Sequence, residues 1–262
     1  MVAIALFIGR GGRFVHYFVP VALGLASYVV ATRLTADLRL GVHYTPQIDA
    51  ERLLPGPMPT LWLQEHLYRG TTGPIEVLAV TAYVSHFIVP LVIGFGIAMA
   101  GRARAFSSLM FGLLVVSILG EMTFILAPTA PPWLAAQDGY LPHVDHILRN
   151  SLYDLRLDRI AAIIGDQSAY DVTAAIPSLH VAFPVVCLLT AFSHRLPRWL
   201  VAAIAVNVAT VVFAIVYTGD HYAVDAFAGG LYALVAWWIV SRSSVPNRPV
   251  SAEGTLGFRR PR

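Results

Sequence analysis

The chain has 262 residues, of which 57% are hydrophobic and only 13% are charged. An average soluble domain carries roughly a quarter charged residues, so this composition excludes an ordinary soluble globular protein. All 18 basic residues are arginine, and they are scattered around apolar runs, so the net charge of +3 does not indicate nucleic-acid binding. The single cysteine, Cys187, excludes an internal disulfide and a cysteine zinc cluster.

The chain has six apolar runs, of which several approach the roughly 20 residues that a helix needs to cross a bilayer and the fourth is short. In chain order they cover residues 15–32, 75–100, 105–127, 178–192, 199–217 and 221–240. We therefore predict an all-α fold, a polytopic membrane bundle of six transmembrane helices in one domain at 15–241. Residues 1–14 form an N-terminal segment that does not have the pattern of a signal peptide, and 242–262 form a disordered cytoplasmic tail.

Two connections between the spans carry helical patterns. Residues 61–68 set tryptophan and tyrosine among leucines, which suits a short helix at the membrane interface or a helix packed on the protein. The prolines of 128–132 end the third span, because proline cannot continue a helix. Apolar positions at helical spacing in 144–165 then predict an outer helical loop of one or two short helices.

The arginines predict the orientation, because short cytoplasmic segments carry an excess of basic residues. With the N-terminus inside, eleven arginines lie on the inner side and seven on the outer side, in longer loops that hold most acids. We therefore expect both termini in the cytoplasm of a bacterial plasma membrane. The fourth and sixth spans then start at the outer face.

Two histidines open these two spans, His180 in Pro177-Ser178-Leu179-His180 and His221 in Gly219-Asp220-His221-Tyr222. Asp225 follows His221 by four residues, a spacing that stacks both side chains on one helix face. Its carboxylate is then expected to fix the imidazole tautomer and leave the other nitrogen as a base or nucleophile. We expect His180 and His221 to face each other across a gap the size of a phosphoryl group.

Helix starts present unpaired N–H groups and a positive dipole end, which suit phosphate. Both helix starts are therefore predicted as phosphate seats, with Ser178 at the N-cap of the first. The convergence of two histidines, a carboxylate and a hydroxyl at the outer face suits attack on a phosphoester whose lipid tail lies in the bilayer.

At these residues the chain resembles the type 2 phosphatidic acid phosphatase superfamily. Residues 177–180 resemble its Pro-Ser-Gly-His signature with leucine in the glycine place, and His221 with Asp225 resembles its terminal His-x-x-x-Asp. More narrowly, the chain resembles the branch of inositol phosphorylceramide synthases and their bacterial relatives, which also shows elements like those at 85–87 and 128–133. The resemblance covers about residues 40–240.

The chain departs from the superfamily where cations normally hold the phosphate oxygens. No lysine/arginine signature precedes the motif at 177–180, and Ala214 and Ile215 stand where a Ser-Arg pair is expected. Three arginines of the outer loop, hereafter the outer arginines, are candidates to replace those cations: Arg149, Arg156 and Arg159.

The resemblance implies an integral membrane phosphotransferase or phosphatase that acts on a phospholipid or isoprenoid lipid phosphate. His221 would form a phosphohistidine, Asp225 would orient it, and His180 would protonate the departing oxygen and then activate the acceptor. The acceptor is water, inositol or another alcohol. No cofactor or metal is required.

Other interpretations remain open from the residues alone. The histidines and Asp225 could form a structural pair or a zinc site, and Ser178 could serve only as a helix cap. Glu121 and His86 lie inside predicted spans, where ionisable residues are functional by default, so each is a candidate substrate-binding residue or an interhelical hydrogen-bonding group. They also suit a small transporter or flippase, although the chain shows no inverted repeat.

Overall fold

The computed structural model describes residues 41–162 and 174–243, together with Ala26. The first predicted span and the predicted tail beyond residue 243 lie outside these residues. The described part is helical, with isolated bridges at His43, Thr129 and Ala174 in place of strands. In chain order the helices with both ends described are α1 (Thr45–Arg52), α2 (Pro59–Leu67), α3 (Pro74–Met99), α4 (Ala103–Leu126), α5 (Pro132–Gln137), α6 (Ile147–Asp154), α7 (Leu179–Ser193), α8 (Arg198–Tyr217) and α9 (Ala223–Arg242). Residues 158–162 are also helical.

Four helices in the described part, α3, α4, α8 and α9, are long and apolar enough to cross a membrane. Their outer faces carry large apolar side chains, among them Val92, Val206 and Phe227. Helix α7 is equally apolar but has only 15 residues, about 22 Å of helix against a hydrocarbon core of about 30 Å. The all-helical membrane fold therefore agrees with the prediction, and four of the six predicted spans have the length expected.

The short helix α7 lies at the centre of the bundle, in contact with α3, α4, α8 and α9. Close packing around it depends on glycines. A Cβ on Gly120 of α4 would lie 2.8 Å from Leu179, and one on Gly229 of α9 would lie 2.2 Å from the carbonyl oxygen of Ser178. The first turn of α7 therefore packs between α4 and α9, and at these two positions each neighbouring helix presents only backbone atoms.

The two ends of the bundle differ. At one end the basic turns meet, where Arg102 donates to the backbone oxygens of His194 and Arg195 at 3.3 and 3.5 Å. At the other end α1, α2, α5 and α6 form a cap over the starts of α7 and α9. Helices α7 and α9 therefore begin in one layer, as the sequence predicts for its two histidines.

The cap holds the loop between α8 and α9. Gln64 of α2 donates to the backbone oxygens of Asp145 and Tyr217, both at 2.9 Å. His146 contacts the Asp220 carboxylate at 3.0 Å and stacks on Trp133 with ring centroids 4.7 Å apart. The loop that carries His221 is thus held by segments far away in the sequence.

Candidate active site

His180 and His221 are in direct contact. His180 is the second residue of α7, and His221 lies two residues before α9, with His180 Nδ1 and His221 Nε2 3.0 Å apart. The topology therefore brings the two predicted residues together. The expectation of a phosphoryl-sized gap between them is wrong for this structure, because the rings themselves are hydrogen-bonded.

The tautomer of His221 follows from its second nitrogen. Nδ1 lies 2.8 Å from the backbone oxygen of Ala175. A carbonyl oxygen can only accept a hydrogen bond, so Nδ1 carries the proton. The neutral ring therefore presents the Nε2 lone pair to His180, whose Nδ1–H is the donor of the shared hydrogen bond.

Asp225 supports His221 differently from the prediction. His221 precedes the helix, so the two side chains do not stack on one helix face, and Asp225 Oδ2 lies 3.6 Å from His221 Nδ1. The same oxygen accepts the Tyr222 N–H at 2.8 Å. Asp225 is thus a completely buried carboxylate beside the imidazole, while the Ala175 carbonyl fixes the tautomer.

The Ala175 carbonyl is positioned by the proline-rich segment at 128–133. The Ala175 N–H donates to the Thr129 backbone oxygen at 3.4 Å, and the Ile176 N–H donates to Thr129 Oγ1 at 3.3 Å. Bridges to Thr129 also join His43 and Ala174. This segment therefore holds the residues that lead into the 177–180 motif.

The two helix starts differ in what occupies them. At α9, the carboxylate of Glu51 accepts hydrogen bonds from the Ala223 and Val224 N–H groups, and Asp225 caps Tyr222. This start is therefore occupied by carboxylates and is not the phosphate seat that the sequence predicts. At α7, Ser178 occupies the N-cap without a side-chain cap hydrogen bond, and its buried hydroxyl has no hydrogen-bond partner among the residues that the structure describes.

A third histidine packs against the pair. His86 of α3 is buried, its Nδ1 donates to the Tyr83 backbone oxygen at 2.5 Å, and its ring centroid lies 4.1 Å from that of His180. The ring of Tyr83 lies 4.4 Å from His180. Glu121 is buried in α4, one residue from the contact of Gly120 with Leu179, and so lies near the level of His180.

The outer arginines lie apart from the histidines. All three are exposed, and no hydrogen bond or ion pair joins them to the histidine cluster among the described residues. Arg149 lies over the ring of Tyr153, at 5.9 Å from its centroid. Within the same described ranges, no three His, Cys, Asp or Glu side chains form a group that could hold a metal ion.

Sequence reasoning did not identify Glu51, Tyr83 or the Ala175 carbonyl as parts of this region. A backbone oxygen carries no sequence signal. Glu51 did carry one, because it follows Gln47 by four residues on a short helix, and this polar pair is buried. Polar residues at helical spacing ordinarily indicate a helix face exposed to solvent, whereas Gln47 and Glu51 are buried. The spacing alone therefore predicts the wrong environment for them.

Comparisons with known proteins find one superfamily and two curated relatives. The sequence model of the PAP2 superfamily matches residues 50–239. Phosphoinositol dihydroceramide synthase of Bacteroides thetaiotaomicron is 31% identical over 156 residues, which are 57% of this chain and 50% of that protein. Inositol phosphorylceramide synthase of Candida albicans is 24% identical over 237 residues, which are 87% of this chain and 48% of that protein. The chain thus spans about half the length of the curated relatives it matches, and no solved structure matches it.

Proposed function

Because this chain belongs to the PAP2 superfamily, we propose that it is an integral membrane enzyme that transfers or hydrolyses the phosphoryl group of a phospholipid or lipid phosphate. The observation that carries the proposal is the contact between His180 and His221. The Ala175 carbonyl holds the proton on Nδ1 of His221, so the nitrogen that faces His180 has a lone pair available for attack on phosphorus.

The proposed reaction has two steps. The lone pair of His221 Nε2 attacks phosphorus, the bond to the leaving oxygen breaks, and His180, in its imidazolium form, gives that oxygen a proton and becomes neutral. The phosphohistidine then transfers its phosphoryl group to an acceptor whose hydroxyl proton passes to His180. The buried Asp225 carboxylate stabilises the positive charge on His221, which lies 3.6 Å away. Acid–base assistance of this kind contributes about 10²–10⁴-fold to the rate.

Substrate entry must break the hydrogen bond between the two imidazoles. Their nitrogens are 3.0 Å apart, and phosphorus has to reach His221 Nε2 along the direction that His180 now occupies. Rotation of the His180 side chain away from His221 opens this path and keeps His180 beside the leaving oxygen. Both histidines stay in the site and exchange their hydrogen bond for contacts with the phosphoryl group.

Inositol-phosphate transfer is the specific form of the proposal. Both relatives described above are named as synthases of inositol-phosphate sphingolipids. If His221 takes inositol phosphate from the donor, the acceptor is a lipid hydroxyl; if His221 takes a lipid phosphate, the acceptor is inositol. Water in the same position gives a lipid phosphatase, so the acceptor decides which product forms.

Phosphate binding is proposed for Ser178 and the first turn of α7, since the start of α9 is occupied by carboxylates. The outer arginines are proposed to supply positive charge at the mouth of the site. His86 and Glu121 are proposed to line it, because both are buried near the level of His180.

Two further spans, at 15–32 and at α7, complete the proposed six-helix bundle, with both termini in the cytoplasm and the site at the outer face.

The test uses purified protein with labelled phosphatidylinositol or phosphatidic acid, with and without free inositol and ceramide. We expect a phosphorylated lipid product, or released phosphate, that vanadate inhibits and a metal chelator does not. A protein-bound phosphoryl group that is labile to acid and stable to alkali identifies the phosphohistidine. Transport of lipid across vesicles without any change in its phosphoester would contradict the proposal.

A further inference from the structure

The start of α9 is closed by two carboxylates from different parts of the chain. Asp225 Oδ2 accepts the Tyr222 N–H at 2.8 Å. Glu51 Oε1 accepts the next two N–H groups, those of Ala223 and Val224, the second at 3.3 Å. These groups belong to the first turn of the helix, where no intrahelical acceptor exists and the helix dipole favours negative charge.

Glu51 reaches this position from α1, which precedes α3, α4, α8 and α9 in sequence. The side chain is 2% exposed. Beside it, Ile48 of α1 packs against Tyr222 in a small apolar cluster that also contains Ala135. Burial raises the pKa of Glu51, the two N–H donors lower it, and Asp225 raises it. A carboxylate in this position costs free energy unless its hydrogen bonds are made.

The segment that Glu51 binds adjoins His221. Tyr222 follows His221 directly, and Ala223 follows Tyr222, so a shift of the first turn of α9 moves the imidazole. The His221 ring is held by its hydrogen bonds to Ala175 and His180 and by the nearby Asp225 carboxylate. The loop before His221 is anchored by the cap, Asp225 binds the Tyr222 N–H, and Glu51 binds those of Ala223 and Val224.

We infer that Glu51 is a positioning residue for the proposed reaction: it binds the first turn of α9 and so holds His221 and Asp225 in the geometry for attack. This inference rests on the proposed function. Glu51 acts through backbone N–H groups and does not touch the substrate. The titratable side chains that interact electrostatically with its carboxylate are those of Asp225 and Tyr222, and both residues lie at the start of α9.

The experiment compares Glu51→Ala and Glu51→Gln with Asp49→Ala. Asp49 lies on the same helix, but it is exposed and pairs with the exposed Arg52, so its loss is a matched control. With phosphatidic acid in detergent micelles as the probe, Glu51→Ala is expected to lower kcat about 100-fold, because a displacement of about 1 Å can cost this much. KM should change less than about threefold, since no substrate contact is lost.

Glu51→Gln keeps a carbonyl oxygen as the acceptor and should restore kcat to within about threefold of the wild-type value. A second measurement does not depend on activity. Hydrogen exchange followed by mass spectrometry should show the amides of Ala223 and Val224 exchanging at least about tenfold faster in Glu51→Ala. Asp49→Ala should leave both kcat and exchange unchanged.

Three results would overturn the inference: equal kcat and exchange in Glu51→Ala and Asp49→Ala, an increase in KM alone, or a folded Glu51→Gln as inactive as Glu51→Ala. If Glu51→Ala does not fold, Ala223→Pro removes one N–H donor from the opposite side, and proline is accepted at the first helical position. It is expected to lower kcat with KM unchanged, and wild-type activity in this variant would also overturn the inference. If the wild-type protein transfers no phosphoryl group, the proposed function fails while the exchange measurement still tests Glu51.

Discussion

The close approach of α9 to the start of α7 can be tested by adding one methyl group. Gly229→Ala places a Cβ 2.2 Å from the carbonyl oxygen of Ser178, whereas ordinary contact begins at 3.4 Å. The helices must therefore separate by about 1 Å, because both contacting atoms belong to the bundle framework and neither is a flexible side-chain end. Ser178 and His180 lie on one side of this contact and Asp225 on the other, so the displacement falls on the candidate site.

A displacement of about 1 Å in a catalytic constellation can cost about 10²-fold in rate. Overpacking of this kind also costs about 1–3 kcal/mol of stability. We therefore expect Gly229→Ala to lower phosphoryl transfer from the labelled lipid about 100-fold and to lower the melting temperature of the detergent-solubilised protein. Both effects follow from the same enforced separation.

Gly230→Ala is the matched control, because a Cβ on Gly230 has no atom of the described ranges within 4 Å. Both variants replace a glycine inside α9, so both gain the same intrinsic helix preference of about 1 kcal/mol. The difference between the two variants isolates the contact with Ser178. If Gly229→Ala retains activity within about twofold of Gly230→Ala, the close approach does not position the site.

Three further outcomes are expected. His221→Ala should abolish phosphoenzyme formation and turnover while leaving expression intact, and Asp225→Ala should lower turnover by ~10²-fold or more; unchanged turnover in either would contradict the assignment. Because the pKa of Glu51 is raised above its ordinary value of 4.5, its contribution to stability is present below pH 4.5 and is lost as pH rises through the folded-state pKa. Between about pH 4 and pH 8, the melting temperature of Glu51→Gln should therefore rise relative to that of the wild-type protein as pH rises. A difference in melting temperature that does not change with pH would refute this. Replacing each outer arginine by glutamine should raise KM for an anionic lipid donor with kcat unchanged, and an unchanged KM for all three would remove them from the site.

Much of the fold could be predicted because membrane spans are local in sequence. A helix in hydrocarbon must satisfy its own backbone and present apolar side chains, so α3, α4, α8 and α9 are visible as long apolar runs. The same property gave α7 as a shorter run. The order of these runs and the arginines between them placed His180 and His221 in one layer, and the structure has them there.

The detailed geometry of the candidate site could not be predicted in this way. The sequence suggested that Asp225 fixes the tautomer of His221, since four residues separate them, but His221 lies before the helix and the Ala175 carbonyl makes that hydrogen bond. The phosphate seat expected at the start of α9 is occupied by Glu51, which is more than 170 residues away in the chain. Neither partner can be identified from spacing, because each is brought in by packing between distant segments.

The sequence by itself determined a membrane-embedded helical protein with two histidines and an aspartate at the starts of two helices. Apolar length and charge placement suffice for this, because the bilayer imposes the same requirement on every span. Only the tertiary structure decided which atoms meet: the lone pair of His221 faces His180, two carboxylates close the start of α9, and Gly229 admits the backbone of Ser178. These contacts are short and directional, and they depend on how the helices and the cap pack against one another in three dimensions.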